Sequence, residues 1–460
     1  MRVVVIGGGA AGSTAAQFAR KTSRRAEVIL VNLERHTMYS RCGLPYAISG
    51  RILSFDDLIE FDEGWFRRAG IELKLGTEAF SIDTSKRTVA VRPVGEDGGE
   101  ELNYDSLVIA TGASPRMPPV EGALRSGAPL EGIHLLRTIE DGRAIADRAV
   151  RGARAVVVGA GLIGLEMAEA LCARGVEVAM IEILPEILLA SLDPDMAAAA
   201  RELIEKSGVA MHCGHRAVAV LGEGRVRGVV IENVSTGERR ELLADLLVFS
   251  TGASGNTGLA KNAGCEIGPT GNIKVNSRCE TSVKGIYAAG DCTEYIDLIT
   301  RAPVAVGMGT VATRQGIVAG TNAAGGAAEM PPGILNTRVS EAFGMQLAAV
   351  GPTEEQLRRA GIEPVAGKFT GSTLPSYFPG GKPLTVKVLA HPESGRLLAA
   401  QIVGMERVHM RINALAVAIL AGVSVEEMAR LETAYAPPIA PTLDPVTLAC
   451  EAARRRLGRG

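Results

Sequence analysis

Val3-Val4-Val5-Ile6-Gly7-Gly8-Gly9-Ala10-Ala11-Gly12 decides the fold, because its pattern returns as Ala155-Val156-Val157-Val158-Gly159-Ala160-Gly161-Leu162-Ile163-Gly164. Each run reads as a buried strand that breaks at glycines and continues into a helix of small or apolar residues, Ser13-Thr14-Ala15-Ala16 and Leu165-Glu166-Met167-Ala168. A second apolar strand follows each copy, Val28-Ile29-Leu30-Val31 and Val176-Glu177-Val178-Ala179-Met180-Ile181. Strand, glycine turn, helix, strand is the context that gives a GxGxxG spacing its weight. The glycines let the backbone turn tightly and approach a pyrophosphate, whose charge then sits at a helix N-terminus. Gly7, Gly9, Ala11 and Gly12 are the candidate contacts in the first copy, and Gly159, Gly161, Ile163 and Gly164 in the second.

An acid at the end of the second strand usually holds the ribose hydroxyls, about 20 residues past the glycines. Glu182 stands there in the second copy. A carboxylate at that place repels a 2'-phosphate, which favours NADH and leaves NADPH as the less favoured donor. In the first copy the position is Asn32, and the nearest carboxylate is Glu34. Either side chain can reach a ribose, and the sequence does not choose between them.

Two more segments echo each other, Leu107-Val108-Ile109-Ala110-Thr111-Gly112-Ala113 and Leu247-Val248-Phe249-Ser250-Thr251-Gly252-Ala253. Both read as a buried strand stopping at a small-residue turn, and they add Thr111, Gly112 and Gly252 to the candidate contacts. Pro115-Arg116-Met117-Pro118-Pro119 suits a crossover linker, and the glycine- and proline-rich stretch from Gly325 to Gly333 marks off a C-terminal region. That region mixes strand-like runs such as Leu384-Thr385-Val386-Lys387-Val388-Leu389 with a helix expected around Arg411 to Leu420.

Thr281-Ser282-Val283-Lys284-Gly285-Ile286-Tyr287-Ala288-Ala289-Gly290-Asp291 is a strand ending in Gly-Asp. With the two glycine turns it resembles the second FAD-binding motif of the pyridine nucleotide-disulfide reductase superfamily. The resemblance implies that Gly290 and Asp291 hold the ribityl chain of FAD. It also implies that a helix near Thr310 to Ala324 aims its positive end at the flavin. Ala79 completes the flavin contacts it implies. The fold class expected is α/β, with two Rossmann-like dinucleotide-binding domains, one for FAD and one for NAD(P), and a C-terminal α+β dimerisation domain. The expected boundaries are 1–115 and 253–328 for the discontinuous FAD domain, 116–252 for the NAD(P) domain and 333–460 for the last.

Thr37-Met38-Tyr39-Ser40-Arg41-Cys42-Gly43-Leu44-Pro45-Tyr46 carries the chemistry. It is expected to open a helix, whose dipole favours a thiolate at Cys42, with Arg41 adding positive charge nearby. A dithiol enzyme of this superfamily has a second cysteine five residues away, but Thr37 and Ala47 hold those positions. Cys-Gly-Leu-Pro-Tyr is similar to the single-cysteine branch: coenzyme A-disulfide reductases, NADH oxidases, NADH peroxidases and persulfide reductases. Ala434-Tyr435-Ala436-Pro437-Pro438 and Ser376-Tyr377-Phe378-Pro379-Gly380 resemble two tyrosine segments of the coenzyme A-disulfide reductases. In that family both tyrosines reach the partner subunit's cysteine, which implies a homodimer. Peroxidases and many oxidases of the branch carry a histidine in the first glycine loop, where this chain has Ala10. The chain also departs from the reductase pattern beside the thiol, with Met38 and Arg41 in place of a serine and an asparagine.

The function expected is therefore an FAD-dependent NAD(P)H:disulfide oxidoreductase acting through Cys42, with Tyr435 and Tyr377 assisting the departing thiol. A coenzyme A disulfide, a persulfide or a related small disulfide is the expected substrate. Ser40, Arg20 and Lys21 are candidate substrate contacts, the last two for coenzyme A phosphates, and Arg41 is a further anion contact. An NADH oxidase and an electron-transfer subunit for a protein partner are the alternatives. His212-Cys213-Gly214-His215 mimics metal-ligand spacing but lies without a further ligand cluster, so no metal is expected, and Cys450 reads as a packed helix cysteine.

Composition agrees with a soluble enzyme of this kind. Of 460 residues 47% are hydrophobic and 22% charged, and the formal net charge of -2 offers no field for nucleic acid or anionic lipid. No apolar run reaches the roughly 20 residues of a membrane span. The seven cysteines show no disulfide-framework spacing, which points to the cytoplasm.

Overall fold

Val3, Val4 and Val5 have no exposed surface at all. A strand so covered on both faces belongs in the middle of a parallel sheet, where apolar residues run continuously instead of alternating. The computed structural model describes residues 1–458. In it the strand Arg2–Ile6 lies between Glu27–Val31 and Ser106–Ile109, in a five-stranded parallel sheet completed by Ile71–Lys74 and Ile286–Ala288. Helices Ala10–Thr22 and Gly309–Ala323 pack backbone to backbone. A Cβ on Gly316 would stand 2.4 Å from the Ala11 carbonyl oxygen, and one on Gly320 2.1 Å from that of Ala15. An antiparallel meander, Thr77–Asp83, Thr88–Pro93 and Glu100–Asn103, accompanies the sheet. These elements belong to a compact unit of Met1–Arg116, Arg137–Gly142 and Ala253–Ile334.

The second unit contains Met117–Leu136, Arg143–Gly252 and the chain from Leu335 onward. It repeats the first plan. Arg154–Val158 lies between Glu177–Glu182 and Leu246–Phe249, with Ala210–Cys213 and Ile133–Leu135 at the edges of the parallel sheet. Its antiparallel meander is His215–Leu221, Gly228–Asn233 and Arg239–Leu243. The C-terminal part is a five-stranded antiparallel sheet, ordered Arg338–Ala342, Met345–Val350, Leu397–Gly404, Pro383–Ala390, Val365–Ser372. Helix Pro445–Leu457 lies close on its last strand, since a Cβ on Gly367 would come within 2.2 Å of the Ala449 carbonyl oxygen. The architecture is thus two Rossmann-like folds and a C-terminal α+β domain. No helix among the described residues is long and apolar enough to cross a membrane.

Within the second unit one buried cation ties three elements together. Lys387 Nζ lies 3.0 Å from Asp193, 2.7 Å from Asp195 and 2.7 Å from Glu354, with 6% of its side chain exposed. Asp193 immediately precedes helix Pro194–Lys206, and Glu354 opens helix Glu354–Arg359. Removing the cation leaves three carboxylates facing one another, so Lys387→Met is expected to lower unfolding stability by about 3–5 kcal/mol, read as a drop in the urea midpoint. An unchanged midpoint would show that solvent already screens the cluster.

Candidate active site

The glycine turns are shaped by contacts that admit no side chain. Gly7 has φ +108°, and a Cβ there would lie 2.1 Å from the Ala110 carbonyl oxygen; one on Gly12 would lie 1.8 Å from that of Gly7. The second turn copies this, with Gly159 at φ +104° and a Cβ on Gly164 falling 2.0 Å from the Gly159 oxygen. At Gly9 and Gly161, by contrast, a Cβ would meet nothing within 4 Å. Each turn therefore offers an open backbone face, and neither following helix carries an acidic residue in its first turn. A pyrophosphate fits both places.

Asn32 and Glu34, between which the sequence does not choose, are held differently. Asn32 Oδ1 accepts the Gly8 N–H at 2.9 Å, and its Nδ2 donates to the carbonyls of Glu34 (3.2 Å) and His36 (2.9 Å). Asn32 shapes the turn, buried at 7% exposure. Glu34 faces the cysteine segment instead, accepting from Arg41 and from the Tyr39 hydroxyl. In the second fold Glu182 does what Asn32 does, accepting the Ala160 N–H at 2.8 Å through one oxygen and the Leu184 N–H at 3.0 Å through the other.

Cys42 sits differently from the expected helix start. Residues 37–40 are not helical, with Tyr39 bridged to Ile59, and Cys42 occupies a single 3-10 turn, Arg41–Gly43, before the six-residue helix Leu44–Ser49. So short a helix contributes little dipole. Arg41 does not supply a spare charge either: its guanidinium meets Glu34 Oε1 at 2.5 Å, the Arg137 carbonyl at 2.7 Å and Tyr39 Oη at 2.9 Å. Burial pushes the Tyr39 phenol well above its usual range. Ser40 caps the 3-10 turn and donates its backbone N–H to the Leu58 carbonyl. Arg20 donates through Nε and Nη1 to the carbonyls of Ala69, Arg24 and Ala26, which clamps the end of the first helix. Lys21 is exposed, its ammonium 4.4 Å from the Phe18 ring centre.

Around the Gly-Asp turn the structure adds residues that no motif marked. Gly290 has φ +85°, and its N–H donates to Gln315 Oε1 at 2.8 Å. Gln315, from the helix Gly309–Ala323, also accepts from Thr293, and its buried Nε2 has no partner among the described residues, a donor that a bound cofactor can use. Asp291 accepts from Arg137 at 3.2 Å. Asn256 joins the two crossings of this unit: it donates to the Thr111 carbonyl at 2.9 Å, accepts from Ser114 at 2.8 Å and gives its backbone N–H to Gly112. Ala79 lies in the meander opposite Val91, beside a bulge. Arg137, Gln315 and Asn256 lack any local pattern; each is recognisable only once distant segments are side by side.

In the second unit Gly252 has φ +95° with open space around it, and Ile163 is 55% exposed beside the second glycine turn. Tyr377 and Tyr435, 58 positions apart, bring their hydroxyls within 2.6 Å of each other. They are 69% and 47% exposed. That bond holds the Tyr377 phenol above its usual value. His212 pairs with Arg240 at 2.7 Å and His215 with the Cys213 carbonyl at 2.8 Å.

Comparison with known proteins agrees with this geometry. The family model described as pyridine nucleotide-disulphide oxidoreductase matches residues 1–309, and that of the corresponding dimerisation domain matches residues 342–446. The chain is 40% identical to an NADH oxidase of Methanocaldococcus jannaschii, over 99% of each chain. It is 34% identical to an NAD(P)H coenzyme A polysulfide/persulfide reductase of Pyrococcus horikoshii, over 97% of this chain and 96% of that one. Among solved structures, an NAD-dependent persulfide reductase from A. fulgidus superposes with a TM-score of 0.93 at 38% identity, covering 100% of this chain and 84% of the other.

Burial sorts the seven cysteines. Cys42 is exposed, Cys172 and Cys213 are half-buried, and Cys265, Cys279, Cys292 and Cys450 are buried. Burial pushes the thiols of Cys279 and Cys450 up to about 12 and that of Cys213 up to about 11. Because the thiolate is the nucleophile, a raised value means almost no reactive form at pH 8. Iodoacetamide at that pH is expected to label Cys42 first and to leave Cys279 and Cys450 unmodified until urea unfolds the chain, as peptide mass spectrometry would read. Early labelling of Cys450 would contradict its burial.

Proposed function

This chain belongs to the pyridine nucleotide-disulphide oxidoreductase family and is an FAD- and NAD(P)H-dependent enzyme; from that premise we propose that it reduces a disulfide or persulfide carried on coenzyme A or a related small thiol, through the single thiol of Cys42. The observation that carries the reading is the Tyr377–Tyr435 hydroxyl pair, 2.6 Å apart and open to solvent. A thiol displaced from sulfur leaves more readily when an acid protonates it, and a phenol can supply that proton.

When bound, FAD passes the electron pair of the nicotinamide to sulfur. The Cys42 thiolate attacks one sulfur of the substrate; a Cys42–S–S–R bond forms as the substrate's own sulfur–sulfur bond breaks, and the departing thiolate takes a proton from a tyrosine. Two electrons and a proton then release R–SH and restore the thiolate. The glycine turns, Gln315 and Asp291 are the residues placed to hold FAD, and Gly159 to Gly164 with Glu182 those placed to hold the nicotinamide nucleotide. The Glu182 carboxylate supports NADH over NADPH.

Met410, Val417 and Leu420, exposed and apolar on the helix Val408–Ala421, support a homodimer in which the tyrosine pair of one subunit serves Cys42 of the partner subunit. Lys21, with Arg24 and Arg25 exposed nearby, suits the phosphates of a coenzyme A thiol. The thiol chemistry suits a reducing cytoplasm. A second reading, an NADH oxidase, is favoured by the name of the Methanocaldococcus relative; against it, Ala10 gives the first glycine loop no group to protonate oxygen.

Anaerobic NADH oxidation with coenzyme A disulfide, coenzyme A persulfide or polysulfide as acceptor separates the readings. Turnover is expected with at least one acceptor, abolished by Cys42→Ser and lowered roughly 100-fold by Tyr435→Phe, while both variants still pass electrons from NADH to a dye. Fast aerobic oxidation without an acceptor, and none with sulfur, would establish the oxidase. Val417→Glu is expected to yield monomers in sedimentation and to lose sulfur reduction while keeping dye reduction; full sulfur reduction by a monomer would remove the cross-subunit role of the tyrosines.

A further inference from the structure

We propose that Arg407, with Glu406 beside it, is a positioning residue for the tyrosine pair: the two adjacent side chains brace the loops that carry Tyr377 and Tyr435 and so bring their hydroxyls together. Both residues lie in the short link between strand Leu397–Gly404 and helix Val408–Ala421. Glu406 serves the first loop. Its Oε1 accepts from the Thr373 hydroxyl at 2.7 Å, and Thr373 is fully buried. Thr373 also closes the neck of that loop, donating its N–H to the Lys382 carbonyl at 2.9 Å and accepting the Lys382 N–H through Oγ1 at 3.0 Å. Tyr377 stands near the middle of the segment so enclosed. Arg407 serves the second loop, where its Nη1 donates to the Ile439 carbonyl. Ile439 belongs to a turn closed on the Ala436 carbonyl, which accepts the N–H groups of Ile439 and Ala440 at 2.9 Å each. Tyr435 is the residue just before that turn.

The backbone shows that an arginine at 407 carries a conformational cost. Its φ of +58° lies in the left-handed region, where a β-carbon crowds the backbone and glycine does not. What the arginine adds over glycine is a fork of N–H donors, one of which engages the Tyr435 loop. The link is itself tied at both ends. Arg407 Nε lies 3.8 Å from Glu406 Oε1. Arg411, one turn along the helix, donates to the Arg407 carbonyl at 3.3 Å and meets Asp444, beyond the Tyr435 loop, at 2.7 Å. Two exposed phenols on separate loops meet only by giving up the freedom of those loops, and a brace on both lowers that entropic cost.

The inference rests on the acid role proposed for the tyrosines, but its first readout is the phenol itself. Tyr377 is replaced by a ring-fluorinated tyrosine in the FAD-loaded enzyme, and its ionisation is followed by fluorine NMR. Tyr435→Phe is expected to move the midpoint by about half a pH unit or more, a roughly threefold change in the ionisation constant. Arg407→Gly is expected to move it the same way by most of that amount, with Tyr435→Phe then adding little. Arg407→Lys, whose ammonium can still donate to a carbonyl, is expected to restore most of the wild-type value. Arg407→Gly, relieved of left-handed crowding, is expected to melt no lower than wild type and to reduce sulfur about tenfold more slowly with dye reduction unchanged. An unmoved Tyr377 midpoint in Arg407→Gly would overturn the proposal, as would a shift to which Tyr435→Phe adds in full, since the two would then act separately. A marked fall in melting temperature would overturn it too, by making Arg407 a general support of the fold. The expected titration, joined to undiminished sulfur reduction by both Arg407→Gly and Tyr435→Phe, would sink the acid role of the tyrosines and leave the brace standing.

Discussion

Two backbone amides, those of Gly8 and Ala160, are each held by a side chain from the end of the neighbouring strand, Asn32 and Glu182, and both nucleotide folds are organised around those bonds. A glycine turn alone is floppy, because glycine gains as much freedom in the unfolded chain as it brings to the turn. Here the turn is fixed at one point by a side-chain acceptor and at another by close backbone contact, Gly12 over Gly7 and Gly164 over Gly159. The N–H groups that remain face outward at a helix start, ready for an anion. Strand order, helix packing and the placing of the later Gly-Asp turn all presuppose that geometry.

The two acceptors differ in charge, and the difference propagates. Glu182 brings a carboxylate to the end of its strand, which supports the proposed preference for a nucleotide without an added phosphate. Asn32 brings none, but its amide has hydrogens to give, and it gives them to the carbonyls of Glu34 and His36. A carboxylate at the same position has no such hydrogens. The neutral residue thereby organises the loop that leads to Cys42, which the charged one could not do.

The repeated strand–turn–helix units were legible because they combine two periodicities with glycines at fixed offsets. The Gly-Asp turn was legible for the same reason, and the helix expected near Thr310 to Ala324 runs from Gly309 to Ala323. What the sequence could not reveal was where a side chain with several options would turn. Arg20 ends a helix, and the three backbone carbonyls it donates to are marked by no pattern. Arg41 looked like an activator of the thiol because it is adjacent, yet Glu34 is seven positions away and better placed. Gln315, Arg137 and Asn256 act across tens to more than a hundred residues, and no local pattern encodes such a bond. The hydroxyl contact of Tyr377 with Tyr435 had only a resemblance to suggest that the two belong together.

That contact also bears on how the proposed proton transfer from a phenol would be stabilised. Of two hydroxyls 2.6 Å apart, one proton lies between the oxygens and the other points away. Either oxygen can be the donor of that bond, so either phenol can present the outward proton. If that proton goes to a departing thiolate, as proposed, the phenolate left behind is still hydrogen-bonded by the other tyrosine, and a charge-assisted bond is stronger than the neutral one it replaces. The pair is therefore better matched to the charged state than to the resting state, which is what differential stabilisation of a proton transfer requires. A single exposed tyrosine would have only water to stabilise its phenolate. Two joined phenols provide a preorganised donor, which supports the role proposed for the pair.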